Sequence, residues 1–299
     1  MQECSVRFFS GGERLAGVLY LPDRSAQPAP GIVLCQGYTG TKEMFLPILA
    51  QAFCEAGYAC LIFDYRGWGE SAGRRNRLFP FEQVEDIRNA LTFLAMQDGV
   101  HSDRLGLYGT SFGGADVVYA AAADERVQCT VASLAIGNGR RWLRSLRRPA
   151  EWEEFLRRLE QDRRDRVALG TSRLVKAFEV VPPSPAIRAL MDAAAQSGVF
   201  AGDEAALTLE SADAIMQFVP ESVVGAIAPR PILFIHAGDD DLVSPDEARS
   251  LYARAGEPKR LVILPSVTHV DFYLGDALEQ VTAVSLEWFH CHLPSPVEQ

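Results

Sequence analysis

The chain has 299 residues and is 48% hydrophobic, enough for one large α/β domain carrying an insertion or for two modest domains. Its formal net charge of −10 and pI near 5.1 argue against a nucleic-acid partner, and no apolar run approaches the ~20 residues of a membrane span. The opening MQECSVRFFSGGER carries neither a basic leader nor an apolar core, so the expected location is cytoplasmic.

Residues 5–9 and 15–21, separated by Ser10-Gly11-Gly12-Glu13, predict an antiparallel hairpin at a sheet edge. A proline-bearing loop over 22–30 leads to 31–35, a short apolar run of the kind found in a strand buried on both faces. Gln36-Gly37-Tyr38-Thr39-Gly40 then turns into a helix expected over about 42–56. The next strand, 59–63, ends in DYRGWGES (64–71), and Val84, Ile87, Leu91 and Leu94 form one stripe of a helix over 81–96. Residues 105–122, LGLYGTSFGGADVVYAAA, read as strand, tight turn and helix, followed by a strand over 127–136.

From Gly137 the rhythm changes. Residues 140–173 are rich in arginine with interleaved acids and read as helical, Pro182-Pro183-Ser184-Pro185 breaks the pattern, and short helices are expected over 187–196 and 212–218, with no strand until 231. We therefore expect a core of 1–137 and 223–299 and a helical cap of 138–222 over the strand ends. The alternating signs favour a solvated, ion-paired cap surface. A sharper reading has Arg140, Arg141 or Arg144 facing inward to grip a substrate carboxylate. Trp142 and Trp152 offer a homodimer contact. Strands at 232–236 and 260–264 and helices at 245–255 and 276–292 resume the first pattern and must extend the first sheet. Such alternation predicts a mostly parallel sheet with helices on both faces and reactive groups at the carboxyl ends of the strands.

Gly109-Thr110-Ser111-Phe112-Gly113 sits at such an end and matches G-x-S-x-G, whose strained turn lifts the serine hydroxyl above the sheet. The Phe112 amide, opening the helix, points at the charge that develops on a bound carbonyl. A serine needs a base oriented by a carboxylate. Of the five histidines, His101 lies at the wrong end of its strand, His236 closes a strand, and His290 and His292 belong to the last helix. His269, in SVTHVD, leaves a strand at its carboxyl end and is the best candidate. Asp239, Asp240 and Asp241 compete for the acid: spacing favours Asp240, Asp241 is the rival, and helix capping or solvation explains the others. Asp64, Arg66 and Glu70 read as staples of a glycine-rich turn, and Asp271 as a partner of nearby backbone. The six cysteines (4, 35, 54, 60, 129, 291) show no C-x-x-C spacing, which favours buried reduced thiols over disulfides or a zinc site.

These segments together resemble an α/β-hydrolase: the elbow GTSFG, the acid loop HAGDDDLVSP, the histidine loop SVTHVD, and the chain order serine, aspartate, histidine. The resemblance covers about 28–137 and 222–292, and DYRGWGESAG is similar to a turn of the peptidase S15 and cocaine-esterase group and of dienelactone-hydrolase-like proteins. It implies Ser111 as nucleophile, Asp240 as orienting acid, His269 as base and then acid, and the Tyr38 amide as the oxyanion donor beside that of Phe112. Gln36 stands where the family usually has histidine, and Ala237 where glycine usually follows His236. In the S15-like group a tyrosine hydroxyl also binds the oxyanion; the Tyr38 side chain either does so or walls the acyl pocket. The implied activity is hydrolysis of an ester or thioester of a small to medium apolar acyl group, without metal or organic cofactor. Acyl transfer to another acceptor, carbon–carbon bond hydrolysis and a non-catalytic ligand-binding role are the alternatives.

Overall fold

The computed structural model describes residues 1–23, 28–185, 187–189 and 205–294, and in it the continuous apolar runs become the centre of an eight-stranded sheet. β1 (Gln2–Ser10) and β2 (Glu13–Leu21) form the expected edge hairpin. β3 (Ala29–Cys35) and β4 (Ala59–Phe63) are buried at every residue, as strands covered on both faces must be. α1 (Leu46–Glu55) lies between them in sequence, and α2 (Pro80–Ala95), β5 (Val100–Thr110), α3 (Phe112–Ala123) and β6 (Val127–Ser133) follow. Next comes an insertion of α4 (Gly139–Ser145), α5 (Pro149–Leu169), β7 (Leu174–Lys176), α6 (Ala177–Val180), β8 (Ala206–Thr208) and α7 (Glu210–Gln217). β9 (Ile232–Ala237), α8 (Pro245–Arg254), β10 (Lys259–Leu264) and α9 (Gly275–His292) then extend the first sheet.

The strand order is β1-β2-β4-β3-β5-β6-β9-β10, with β4 onward mutually parallel and β2 antiparallel to β4. This is the α/β-hydrolase fold. Alternation along β3 divides the core: Val33 and Cys35 pack with α2 and α3 on one face, and Ile32 and Leu34 with α1 and α9 on the other. After β3 the chain steps to β4 on one side and to β5 on the other. The loop after β3 therefore lies beside the loop after β5, at the switch point where α/β sheets bind ligands.

The structure departs from the expected elements in the middle of the chain. α1 starts at Leu46 rather than near 42, because Phe45 takes a positive φ of 60°. β6 stops at Ser133, where Leu134 turns left-handed (φ 50°) and gives its amide to Ile235 O at 2.8 Å. The helical stretch over 140–173 is two helices, with Pro149 opening the second. The expectation of no strand before 231 is wrong: β7 and β8 pair antiparallel, Leu174 opposite Thr208. Three-residue strands carry no readable period, and their pairing spans a long loop. The helix expected over 187–196 lies mostly outside the described residues, as does part of the 22–30 loop. Trp142 and Trp152 are 1% and 8% exposed, so neither offers surface to a second copy. No helix among the described residues is long and apolar enough to cross a membrane.

Arg141 fastens the insertion to the sheet. Its guanidinium forks onto Glu247 (Nε to Oε1 2.7 Å, NH2 to Oε2 2.7 Å) and onto Glu221 (3.0 and 2.8 Å), so the bidentate carboxylate it grips belongs to its own chain. Arg140 lies over Trp152, and Arg144 donates to Arg147 O at 2.8 Å. Burial opposes ionisation of Glu221, but hydrogen bonds from Arg141, Ser250 and Asn138 outweigh it and hold the carboxyl at about 2, below its ordinary 4.5. A depressed carboxyl stabilises the fold above its unfolded value and ceases to do so as pH falls through its folded value. Stability is expected to drop between about pH 4.5 and pH 2, and Glu221→Gln should flatten that part of the profile; urea melts across the acid range check this.

Candidate active site

Ser111 sits one residue past β5 with φ 54° and ψ −120°, a conformation that costs a side-chain-bearing residue about 1–3 kcal/mol. The neighbours leave it little alternative. Its amide donates to Ser133 O at 2.9 Å, and its carbonyl accepts from the Gly114 amide at 3.0 Å. A β-carbon at Gly109 would lie 2.2 Å from Gly113 O, and one at Gly113 would lie 2.4 Å from Gln36 O. A β-carbon at Gly37 would come within 3.0 Å of Ser111 Cβ and 3.5 Å of Phe112 N. The loop after β3 is thus packed on the elbow itself. Among the described residues no backbone acceptor outside the helices and strands takes the Tyr38 or Phe112 amide.

Of the three candidate acids, Asp240 is the one paired with His269. Its Oδ2 lies 2.7 Å from His269 Nδ1, while Asp239 and Asp241 are exposed and Ser244 caps α8. Asp240 Oδ1 accepts the Leu242 and Val243 amides at 2.9 and 2.7 Å. Burial works to raise the Asp240 carboxyl, but His269 and the backbone donor outweigh it and hold the group below its usual range. The Asp240 carboxylate therefore sits directly against His269 Nδ1.

His269 is tied to the elbow through Tyr273. Thr110 Oγ1 and the Tyr273 hydroxyl are 2.8 Å apart, and the Tyr273 ring meets the His269 ring edge-on at 5.9 Å. Register completes the convergence: Thr110 opposes Ser133, Ser133 opposes Ile235, and Ala237 opposes Leu264, so Ser111, Asp240 and His269 all leave the same rim. Asp240 and His269 are joined directly. Among the described residues Ser111 Oγ makes no hydrogen bond to His269.

The expected staples hold the rim in shape. Asp64 accepts the Lys42 and Glu70 amides at 2.8 and 2.9 Å and the Lys42 ammonium at 3.0 Å, and Arg66 pairs with Asp86. Asp271 accepts from Thr268, as its bland reading required. Gln36, in the place of the usual histidine, curls the loop instead: its Oε1 accepts the Gly37 amide at 2.8 Å and its Nε2 donates to Met44 O. The Tyr38 hydroxyl is not an oxyanion donor. It donates to Ala177 O in α6 at 2.8 Å, with its ring edge-on to Trp142 at 6.4 Å.

Three residues escaped the sequence reading. His236, set aside as closing a strand, lies 2.8 Å from Val243 O through Nε2, and burial keeps its ring neutral by lowering its affinity for a proton. Arg147 is buried, donates to Leu143, Glu179 and Val180 carbonyls and covers Phe155; burial lowers its guanidinium to about 10. Lys42 is buried beneath the loop after β3. An isolated lysine or arginine in a polar segment gives no sequence signal of burial.

The family model described as serine aminopeptidase, S33 matches residues 26–272. An uncharacterized 31.7 kDa protein from the traX-finO intergenic region of Escherichia coli is 33% identical over 265 residues, 88% of this chain and 91% of that one. Thiohydrolase aneE of Aspergillus aculeatus is 27% identical over 290 residues, 90% of this chain and 87% of its own. The α/β hydrolase GrgF from Penicillium superposes with a TM-score of 0.82 at 24% identity, covering 98% of this chain and 99% of that one, a likeness of fold.

Lys42→Met removes the cation from the buried Asp64 carboxyl and should cost about 3 kcal/mol, the usual effect of stranding a buried charge. Chemical denaturation measures it; an unchanged midpoint would show that the backbone donors alone satisfy Asp64.

Proposed function

Because the chain belongs to the serine aminopeptidase S33 family of α/β-hydrolases, we propose that it is a serine hydrolase cleaving an ester or thioester of a small to medium apolar acyl group. The observation that carries this reading is the 2.7 Å Asp240–His269 pair on the same rim as the strained Ser111. His269 takes the Ser111 proton as the hydroxyl attacks the carbonyl carbon, and Asp240 stabilises the imidazolium. The Tyr38 and Phe112 amides receive the tetrahedral oxyanion. Collapse expels the alcohol or thiol, protonated by His269, and leaves an acyl-Ser111 ester. Water, deprotonated by His269, attacks that ester and frees acid and serine. The Ser111–His269 hydrogen bond forms when substrate fills the site, as catalytic hydrogen bonds often do. This chemistry needs no metal or organic cofactor.

Aromatic rings around the elbow favour an apolar acyl group: Phe112 packs on Trp142 at 5.9 Å and on Phe218 at 6.0 Å. The thiohydrolase relative supports a thioester among the substrates. We assign the insertion, 138–222, the role of a cap over a core of 1–137 and 223–299. The narrower grouping with S15-like and dienelactone-hydrolase-like proteins rests on the DYRGWGESAG turn alone. The cysteines, free in the structure, fit the reducing cytoplasm, which we propose as its location.

A second reading, acyl transfer to an alcohol or amine, draws on the burial of Ser111 and His269, which are 8% and 6% exposed and so meet little bulk water. Product analysis with and without added alcohol separates the two.

A fluorophosphonate probe is expected to label the protein, and Ser111→Ala to abolish labelling. His269→Ala should lower kcat for p-nitrophenyl esters by about a thousandfold or more while leaving the thermal midpoint nearly unchanged. Labelling that survives Ser111→Ala, or near-normal turnover without His269, would sink the proposal.

A further inference from the structure

Trp142, on the first helix of the insertion, touches Tyr38, Phe112 and Leu242, residues on both sides of the site. α4 begins at Gly139, where a β-carbon would lie 1.9 Å from Ile215 O, and Asn138 caps it by accepting the Arg141 amide at 3.0 Å. This anchoring buries Trp142, 1% exposed, between three loops. Its ring is edge-on to Tyr38 at 6.4 Å and tilted on Phe112 at 5.9 Å, the residues proposed above to supply the oxyanion amides. Its indole Nε1 donates to Leu242 O at 2.9 Å.

The last contact has a specific consequence. The Leu242 carbonyl and the Val243 N–H belong to one planar peptide unit. The carbonyl receives the indole proton, and the N–H gives the shorter of the two backbone bonds to Asp240 Oδ1, at 2.7 Å. Rotating that plane to lose one bond misaims the other. Bonds in series through a peptide also polarise one another, which strengthens the grip on the carboxylate. His236 holds the next peptide through Val243 O, so the turn is gripped from the insertion on one side and from β9 on the other.

We infer that Trp142 is a positioning residue: its indole N–H sets the 242–243 peptide that orients Asp240 toward His269, and its ring braces the two residues that supply the oxyanion amides. The inference rests on the assignment of Ser111, His269 and Asp240 above, and it makes the insertion part of the catalytic framework as well as a cover.

The test replaces only the N–H. Benzothienylalanine at 142 puts sulfur where the indole nitrogen stands and keeps the ring, and Trp142→Phe is the genetically encoded counterpart. In the isostere, kcat for p-nitrophenyl butyrate is expected to fall about tenfold with KM within about twofold, the loss of one aligning hydrogen bond felt in the transition state. The far-downfield proton resonance of the Asp240–His269 hydrogen bond should move. A merely structural tryptophan would change the melting midpoint without displacing that proton in the folded protein. An isostere with wild-type kcat, or one whose downfield proton is unmoved, would overturn the inference, and if the Phe variant fails to fold the isostere alone decides. The resonance is readable without turnover. A wild type lacking Ser111-dependent hydrolysis therefore defeats the functional reading separately from this one.

Discussion

A side-chain-bearing residue held at φ 54° is the constraint on which the site depends. Ser111 accepts that conformation because backbone crowds it on every side, and the crowding is possible only where neighbours lack a β-carbon. Gly109 admits Gly113 O, Gly113 admits Gln36 O, and Gly37 admits Ser111 itself. One packing arrangement thereby sets two things together. It holds Ser111 in its left-handed conformation at the end of β5, and it brings the loop of Gly37 and Tyr38 against the start of α3. The elbow is backed by β3, by the last six residues of β5 and by β6, which are buried almost throughout and close-packed.

The acid side is held by hydrogen bonds rather than by crowding. Asp240 is buried, and an isolated carboxylate there would take up a proton. Two backbone amides and the His269 ring keep it charged; Trp142 holds the peptide of the Val243 amide through Leu242 O, and His236 holds the next peptide through Val243 O.

The insertion is bound to the core at points that matter for chemistry. The Tyr38 hydroxyl ties the loop after β3 to α6, Arg147 gathers the carbonyls at the end of α6, and Arg141 bridges α4 to Glu221 and Glu247. Its arginines fall into two groups. Those on α5 are mostly solvated and paired within the insertion, as their alternation with acids implies, whereas Arg141 and Arg147 act as fixed struts. The inward reading offered for Arg140, Arg141 or Arg144 named a substrate carboxylate, whereas Arg141 grips Glu221 and Glu247, partners too distant in sequence for helical spacing to indicate.

Residues whose role is set within a few positions were legible in the chain alone. The elbow pattern, the fully apolar strands, the edge hairpin and the candidacy of His269 follow from spacing, composition and the steric demands of glycine, which act locally. Burial and long-range hydrogen bonds settled the rest. They paired one of three adjacent aspartates, Asp240, with His269, sent the Tyr38 hydroxyl to Ala177, paired β7 with β8, and buried Trp142, a candidate for surface contact. Each of these depends on which atoms meet across more than twenty residues of chain. Local preference carries no information about such meetings until the sheet has closed and the insertion has docked on it.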